Sequence, residues 1–469
     1  MSDRTGFLDG VVDRTLDNLR NLRLAWRDIA SPSRGTAPRP ELPREDVERL
    51  RLRLRDCLEG RGGEVAARAR AADLGRTYLA LNDAGRERFL SVLANEFDID
   101  RGAVDAVCQR LIQAEREERP ALEHQLREAL EPPRVKLLTH FNALPEGVKF
   151  LVDLRAELMA LMRTNHALAG LESDLKNLLA SWFDIGFLEL QRITWEAPAA
   201  LLERLARYEA VHRVRNWADM KNRLDDDRRC FAYFHPRMPE EPLIFVEVAL
   251  VKGMASNVRT LLDQSAPLGD AETADTAIFY SISNCQRGLS GISLGDFLIK
   301  RVAERLHAEL PHLKTFATLS PIPGFRAWLE KEMANGDDLL LSAEHQELPD
   351  EFAGGKLATL MARPRWHEEP DLVAALRAPL LRLCARYLYL AKRPSGTARD
   401  SVAHFHLANG ARMEQLDWLA DTSVNGLKQS FGIMINYLYR LPEIEGNHEA
   451  YVTEHQVAAS AAIQRMAKG

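Results

Sequence analysis

The sequence predicts a two-part molecule: an all-helical bundle over residues 1–183, then an α/β domain over residues 184–469. Three observations carry this. From Arg44 to about Trp182 apolar residues recur at helical spacing, with no strand-like alternation. After Phe183-Asp184-Ile185-Gly186, short runs rich in β-branched and aromatic residues alternate with helical stretches, the pattern of a sheet with helices packed on it. At 469 residues the chain is long enough for two or three domains, each with an ample core.

Taken in order, residues 7–29 show helical spacing at Leu8, Val12, Leu16, Leu19 and Trp26, and the Pro/Ser/Gly-rich linker SPSRGTAPRPELP follows. Helices are expected near 45–58, 64–82, 85–96, 102–116, 120–130, 146–165 and 171–182. Asp83, Asp100 and Asn142 stand where caps or turns belong, and Pro132-Pro133 and Pro145 punctuate the run. In a multidomain enzyme such a bundle most often serves scaffolding or oligomerisation. In the second part, strands are expected at 230–234, 243–250, 277–284 and 315–319, with helices near 255–264, 292–310 and 325–334. A helix over 372–391 leads to two further strands, 402–407 and 412–418, joined at Asn409-Gly410. Helices near 425–439 and 450–467 close the chain.

A formal net charge of −6, with 46% hydrophobic and 28% charged residues, describes a soluble protein and argues against general nucleic-acid binding. No apolar run approaches the roughly 20 residues that span a bilayer. Five scattered cysteines without a CxxC pair point to a reducing compartment, with neither a disulfide framework nor a zinc site. The Arg-rich first thirty residues carry Asp3, Asp9, Asp13 and Asp17, unlike an organelle transit peptide, and Met-Ala-Lys-Gly is no peroxisomal address. A cytoplasmic location is expected.

The stretch from Ser281 to Trp328 is the centre of the second part. It reads as a strand end, a glycine-punctuated turn, an amphipathic helix with Leu294, Leu298, Val302, Leu306 and Leu310 on one face, a strand, and a Ser-Pro-Ile-Pro-Gly corner. Such a turn can lay backbone N–H groups around a phosphate, beside the positive end of the following helix. Ser320 opens the corner, and the two prolines stiffen whatever its hydroxyl points at; the plainer reading is a turn serine. His404 and His406, two apart, would face the same way on a strand. No third ligand stands at a recognisable spacing, so no metal is expected, and the choice lies between a satisfied histidine and a general acid or base. Asp417 and Asp421 complete a Ser-His-Asp set on paper, but a G-x-S-x-G elbow is absent. Gly354-Gly355-Lys356 lacks the rest of a phosphate loop, Asp225-Asp226-Asp227-Arg228-Arg229 reads as a solvated turn, and Cys285 has no obvious partner histidine.

Several segments, in order, carry a family resemblance: HFNALPEGVKFLVDLRAELM at 140–159, GMASNVRTLL at 253–262, the glycine turn, FATLSPIPGF at 316–325, FHLANGA at 405–411, and Asn436-Tyr437-Leu438-Tyr439. Over roughly residues 60–460 the chain resembles the malonyl-CoA decarboxylases. The resemblance implies an N-terminal helical domain and a C-terminal domain of the GCN5-related N-acetyltransferase fold. It also implies conversion of malonyl-CoA to acetyl-CoA and carbon dioxide without metal or organic cofactor, and assembly as a tetramer. Carried over by position, the catalytic serine falls on Ser320 and the catalytic histidine on His406. The acyl-CoA-binding turn falls on Ser290, Gly291, Ile292, Ser293, Leu294, Gly295 and Asp296, and a site-lining tyrosine on Tyr439. Human-type members carry a glutamate where this chain has Ser293. Two other classes fit the same fold: an acyl-CoA-dependent N-acyltransferase, which needs an amine acceptor, and a non-catalytic acyl-CoA sensor.

Overall fold

The computed structural model describes residue 26 and residues 38–59, 63–292, 298–334, 339–346, 348, 349, 352, 355–363 and 365–468. By packing, the chain forms two compact units. One holds the chain up to Glu189 with Phe234–Leu243 and the stretch that begins at Gln286. The other holds Leu190–Tyr233, Ile244–Cys285 and the C-terminal remainder.

The first unit is helical. Its described helices are Arg44–Leu58, Gly63–Ala80, Asp83–Glu96, Arg101–Gln113, Arg119–Ala129, Pro133–Asn142, Gly147–Leu161 and Ala169–Trp182. Seven of them match the expected segments to within a few residues. The remaining one, Pro133–Asn142, begins on a proline in the first turn, where the missing N–H costs nothing, so a residue pair that reads as punctuation also starts a helix. Asn82 caps the third helix through Gly85 N at 3.0 Å, and Asp100 caps the fourth through Ala103 N at 3.1 Å. Inside, Trp26 meets Phe150 edge-on at 5.1 Å and donates from Nε1 to the Pro145 carbonyl at 2.7 Å. Apart from Trp26, the helix expected over 7–29 lies outside the described residues.

The second unit is built on a mixed sheet. Its strands are β1 (Glu189–Ile193), β2 (Arg228–Phe234), β3 (Ile244–Val251), β4 (Thr276–Asn284), β5 (Thr315–Thr318), β6 (Ser320–Pro321), β7 (Arg412–Asp417) and β8 (Met434–Leu438). The order is β1-β2-β3-β4-β5-β8-β6, with β7 also on β8. β2, β3 and β4 pair antiparallel, whereas β4 and β5 run parallel. An irregularity between Glu247 and Val248 pairs them with Ser281 and Phe279, so Tyr280 is the extra residue of a bulge in β4. The parallel pairing covers only Thr276–Phe279 against Thr315–Thr318. Past Phe279, β4 runs on to Asn284, while Ser320 and Pro321 pair instead with Ile435 and Met434 of β8. The two parallel strands therefore part beyond that point.

Three expectations are corrected here, the first being the helix near 450–467, which is two helices, Ile444–Glu454 and Ala461–Lys468, parted at His455 with its left-handed φ of 56°. Residues 402–407 are not a strand but lie in the helix Ser401–Ala408, whose start is capped by Asp400 through Val402 N and Ala403 N at 2.9 and 3.1 Å. The helix expected near 425–439 stops at Ser430, where Phe431 takes a left-handed φ of 54°, and the chain continues as β8. Among the described residues no helix is long and apolar enough to cross a membrane.

Candidate active site

Ser320 enters the site from the point where β4 and β5 separate. Thr318 and Ser320 lie two apart on extended chain, so their side chains share a face. The Ser320 hydroxyl donates to Thr318 Oγ1 at 2.8 Å. His406 arrives from the helix Ser401–Ala408, on whose inner face Ala403, His406 and Leu407 are buried. Its Nε2 lies 3.0 Å from Ser320 Oγ, and its Nδ1 lies 2.8 Å from the hydroxyl of Tyr439, the residue that follows β8. Tyr437, two residues earlier on the same face, stacks its ring on the imidazole at 4.4 Å between centroids.

These groups are dry. His406 and Tyr439 are each 2% exposed and Ser320 is 6% exposed. Burial disfavours the imidazolium and drives the His406 pKa down to about 3, so the ring is neutral at working pH. Burial also holds the Tyr439 phenol well above its usual range, which keeps it protonated. Asp400 ties the two halves of the centre together: besides capping the His406 helix, it accepts from Gly324 N and from Tyr387 OH, each at 3.2 Å. Gly324 closes the corner that Ser320 opens, so one carboxylate fixes both supports.

Beside the pair lies a cavity of about 220 Å³. Its walls are Phe279, Tyr280, Ile282 and Asn284 from β4, Ser320 and Pro321 from β6, and Ser401, Val402, Phe405 and His406 from the helix, with Val211. It is a largely apolar slot with hydroxyl and imidazole donors at one place on its wall. That arrangement can exclude water from a small acyl group while aiming hydrogen bonds at a developing negative charge.

The glycine turn belongs to the helical unit. Arg155, buried in the helix Gly147–Leu161, donates from Nη1 to the carbonyls of Gly288 and Ser290 at 2.6 and 2.9 Å, and its Nη2 pairs with Glu172 at 2.7 Å. Gly288 has no room for a side chain, because a Cβ there would sit 1.8 Å from the Val152 carbonyl oxygen. Gly291 needs its freedom for another reason, a φ of +74°, and beside it lies the Lys176 ammonium, 3.7 Å from where a Cβ would be. Ser290 and Gly291 are exposed and Ile292 is half-buried. Ser293, Leu294, Gly295 and Asp296 lie outside the described residues.

Of the residues singled out from sequence, the structure brings together Ser320, His406 and Tyr439. His404 points elsewhere, with Nδ1 2.8 Å from Tyr451 OH, because residues two apart on a helix face different sides. His406 meets a tyrosine where a triad would have a carboxylate. Asp417 instead accepts from Gln415 at 2.8 Å. Asp400 escaped the sequence reading, and Thr318 and Tyr437 entered it only inside the segments that carry the resemblance, without a role. The Asp-Ser-Val-Ala start of the helix is a capping pattern that reveals Asp400, and the two-residue step from Ser320 points to Thr318.

Comparison with known proteins decides the family. A profile described as the malonyl-CoA decarboxylase C-terminal domain matches residues 186–469, and one described as the malonyl-CoA decarboxylase N-terminal domain matches residues 97–183. The mitochondrial malonyl-CoA decarboxylase of Anser anser anser is 38% identical over 418 residues, covering 84% of this chain and 82% of its own length. This chain belongs to the malonyl-CoA decarboxylase family. The Rattus norvegicus mitochondrial enzyme is likewise 38% identical over 423 residues, covering 85% of each chain. Crystal structures of malonyl-CoA decarboxylases from Rhodopseudomonas palustris and Agrobacterium vitis are 41% and 40% identical. Each superposes with a TM-score of 0.81 over 89% of this chain and 99% of theirs. The fold is thus that of the family, a helical region followed by a mixed-sheet domain.

Proposed function

We propose that this protein is a carboxy-lyase that converts malonyl-CoA to acetyl-CoA and carbon dioxide, with Ser320 and His406 at the acyl end. The observation that carries the proposal is the buried Ser320–His406 contact of 3.0 Å on the wall of an apolar slot, in a chain of this family. When the bond between the malonyl α-carbon and its carboxylate breaks, carbon dioxide leaves. The bonding pair passes to the α-carbon and the thioester oxygen as an enolate. The dry slot favours loss of the charged carboxylate, and donors preset on its wall stabilise the enolate oxygen. Ser320 orients the carboxylate by turning its hydroxyl from Thr318 to that group as substrate enters. His406 passes to the α-carbon the proton that makes the methyl group of acetyl-CoA and takes up a solvent proton in its place, so the ring stays neutral and the reaction consumes one proton from solvent. Tyr439 holds the imidazole.

The turn from Ser290 to Asp296 is assigned to the CoA pyrophosphate. Support comes from the exposed Ser290 and Gly291, the left-handed Gly291 and the nearby Lys176 ammonium. Residues 1–183 act as the scaffolding part and 184–469 as the catalytic part. A tetrameric, cytoplasmic enzyme completes the reading, with light scattering and cell fractionation as its checks. The deciding experiment incubates the purified protein with malonyl-CoA and no amine. Stoichiometric acetyl-CoA and carbon dioxide support the proposal. Tight binding without product, or a requirement for an acceptor, sinks it.

A further inference from the structure

Ser320 has one hydroxyl proton, and its direction orders everything around it. That proton is committed to Thr318 Oγ1 at 2.8 Å, while the same Ser320 oxygen lies 3.0 Å from His406 Nε2. With its proton spent, Ser320 offers His406 only lone pairs, so the contact must be closed by an N–H on Nε2. A neutral imidazole carries a single N–H, which leaves Nδ1 bare. Nδ1 therefore accepts from the Tyr439 hydroxyl across their 2.8 Å separation.

Thr318 is itself held in the accepting position. It is fully buried at the end of β5, and its Oγ1 takes the backbone N–H of Tyr437 at 3.2 Å. Its carbonyl accepts from Asn436 Nδ2 at 2.7 Å. Tyr437 is also the residue whose ring stacks on the imidazole. One step of β8 thus fixes both the Thr318 oxygen and the plane of the histidine.

We propose that Thr318 is a positioning residue for the decarboxylation: by accepting the Ser320 proton it holds His406 in the Nε2–H tautomer, so the imidazole meets the acyl group as a donor. The inference rests on the decarboxylase reading above. The opposite wiring, with Ser320 donating to Nε2, is that of a serine being activated as a nucleophile. It would turn a lone pair toward an enolate that needs a proton. A neutral imidazole N–H is competent for the donor role, since it can polarise an oxygen that gains charge without being an imidazolium.

The test uses the full chain labelled with ¹⁵N-histidine, with the His406 signals identified by their loss in His406→Asn. Wild-type protein should show Nε2 protonated and Nδ1 bare. Thr318→Val keeps the shape and removes the acceptor, which lets the Ser320 proton swing to Nε2. The His406 signals should then change to the Nδ1–H pattern, with kcat falling about 10²-fold at unchanged KM, the scale of a misplaced acid–base group. Thr318→Ser should restore both. An Nδ1–H tautomer in the wild type overturns the proposal, as does a Thr318→Val protein whose tautomer is unmoved, or a Thr318→Ser protein that is not restored. The wild-type tautomer decides the matter even if Thr318→Val does not fold. Acetyl-CoA release from the same wild-type sample stands apart: its absence defeats the decarboxylase reading whatever the tautomer.

Discussion

The Ser320–His406 centre and the turn at Gly288–Ile292 are made in opposite ways. At the centre, groups far apart in sequence are brought together by the sheet and a capped helix, and every participating side chain is buried. At the turn, on the reading proposed above, the backbone is the working surface, shaped by an arginine that grips two carbonyls and by a glycine packed against a third. The centre is tuned by desolvation, which settles protonation states. The turn is tuned by backbone shape, which settles whether N–H groups converge. Damage to the centre should therefore appear in kcat and damage to the turn in KM.

The largest effect is expected at the centre. Loss of an oriented donor costs roughly 10² to 10³ in rate, or about 3–4 kcal/mol of transition-state stabilisation. Ser320→Ala should lose that much kcat, and His406→Asn at least as much, in an acetyl-CoA release assay. Near-normal turnover by a folded His406→Asn protein would remove it from the mechanism. Next comes Gly288→Ala, where the new Cβ meets the Val152 carbonyl and forces the backbone to move. An overpacked site of this kind costs roughly 1–3 kcal/mol of stability. Denaturant unfolding should show that loss, and KM for malonyl-CoA should rise with kcat little changed. A smaller effect is expected from Arg155→Lys, because an ammonium cannot reproduce the planar fork that serves both carbonyls and Glu172. KM should rise again, by less. A fall in kcat at constant KM in either turn variant would erase the distinction between the two regions.

The same contrast explains what could be read before the structure. Seven of the eight described helices of the first unit were legible to within a few residues because their apolar spacing repeats over several turns and their caps are local, as at Asp100. The centre was legible only through the segments shared with a family. Residue patterning placed His406 on a strand, because Ala403, Phe405 and Leu407 alternate with His404 and His406 in a stretch too short to distinguish the two periods. The Asp400 cap decides for a helix, and three-dimensional support from Gly324 and Tyr387 reinforces it. Residues 434–438 went wrong for a tertiary reason. Met-Ile-Asn-Tyr-Leu follows a helical segment without a proline, and only its pairing with β5, β6 and β7 makes it a strand. The hydrogen bonds of Thr318 depend on that pairing, so no local pattern announces them.

The smallest expected effect is a slope. Folded His406 binds a proton only near pH 3, whereas in the unfolded chain it does so near the ordinary value of 6.5. Below pH 6.5 the unfolded state takes up a proton that the native state refuses. Acidification therefore pulls the equilibrium toward unfolding, and the contribution present above pH 6.5 is lost steadily as pH falls toward 3. Between pH 7.5 and 5 this single group should cost about 1–2 kcal/mol of stability. His406→Asn shifts the whole stability curve by the cost of the substitution itself, but it also removes the proton linkage. Its stability should decline less steeply than wild type over that interval. Gly288→Ala, which changes backbone packing and no titrating group, should lower the curve without altering its slope. Urea unfolding at the two pH values distinguishes these outcomes, and parallel curves for wild type and His406→Asn would show that desolvation does not hold this histidine neutral.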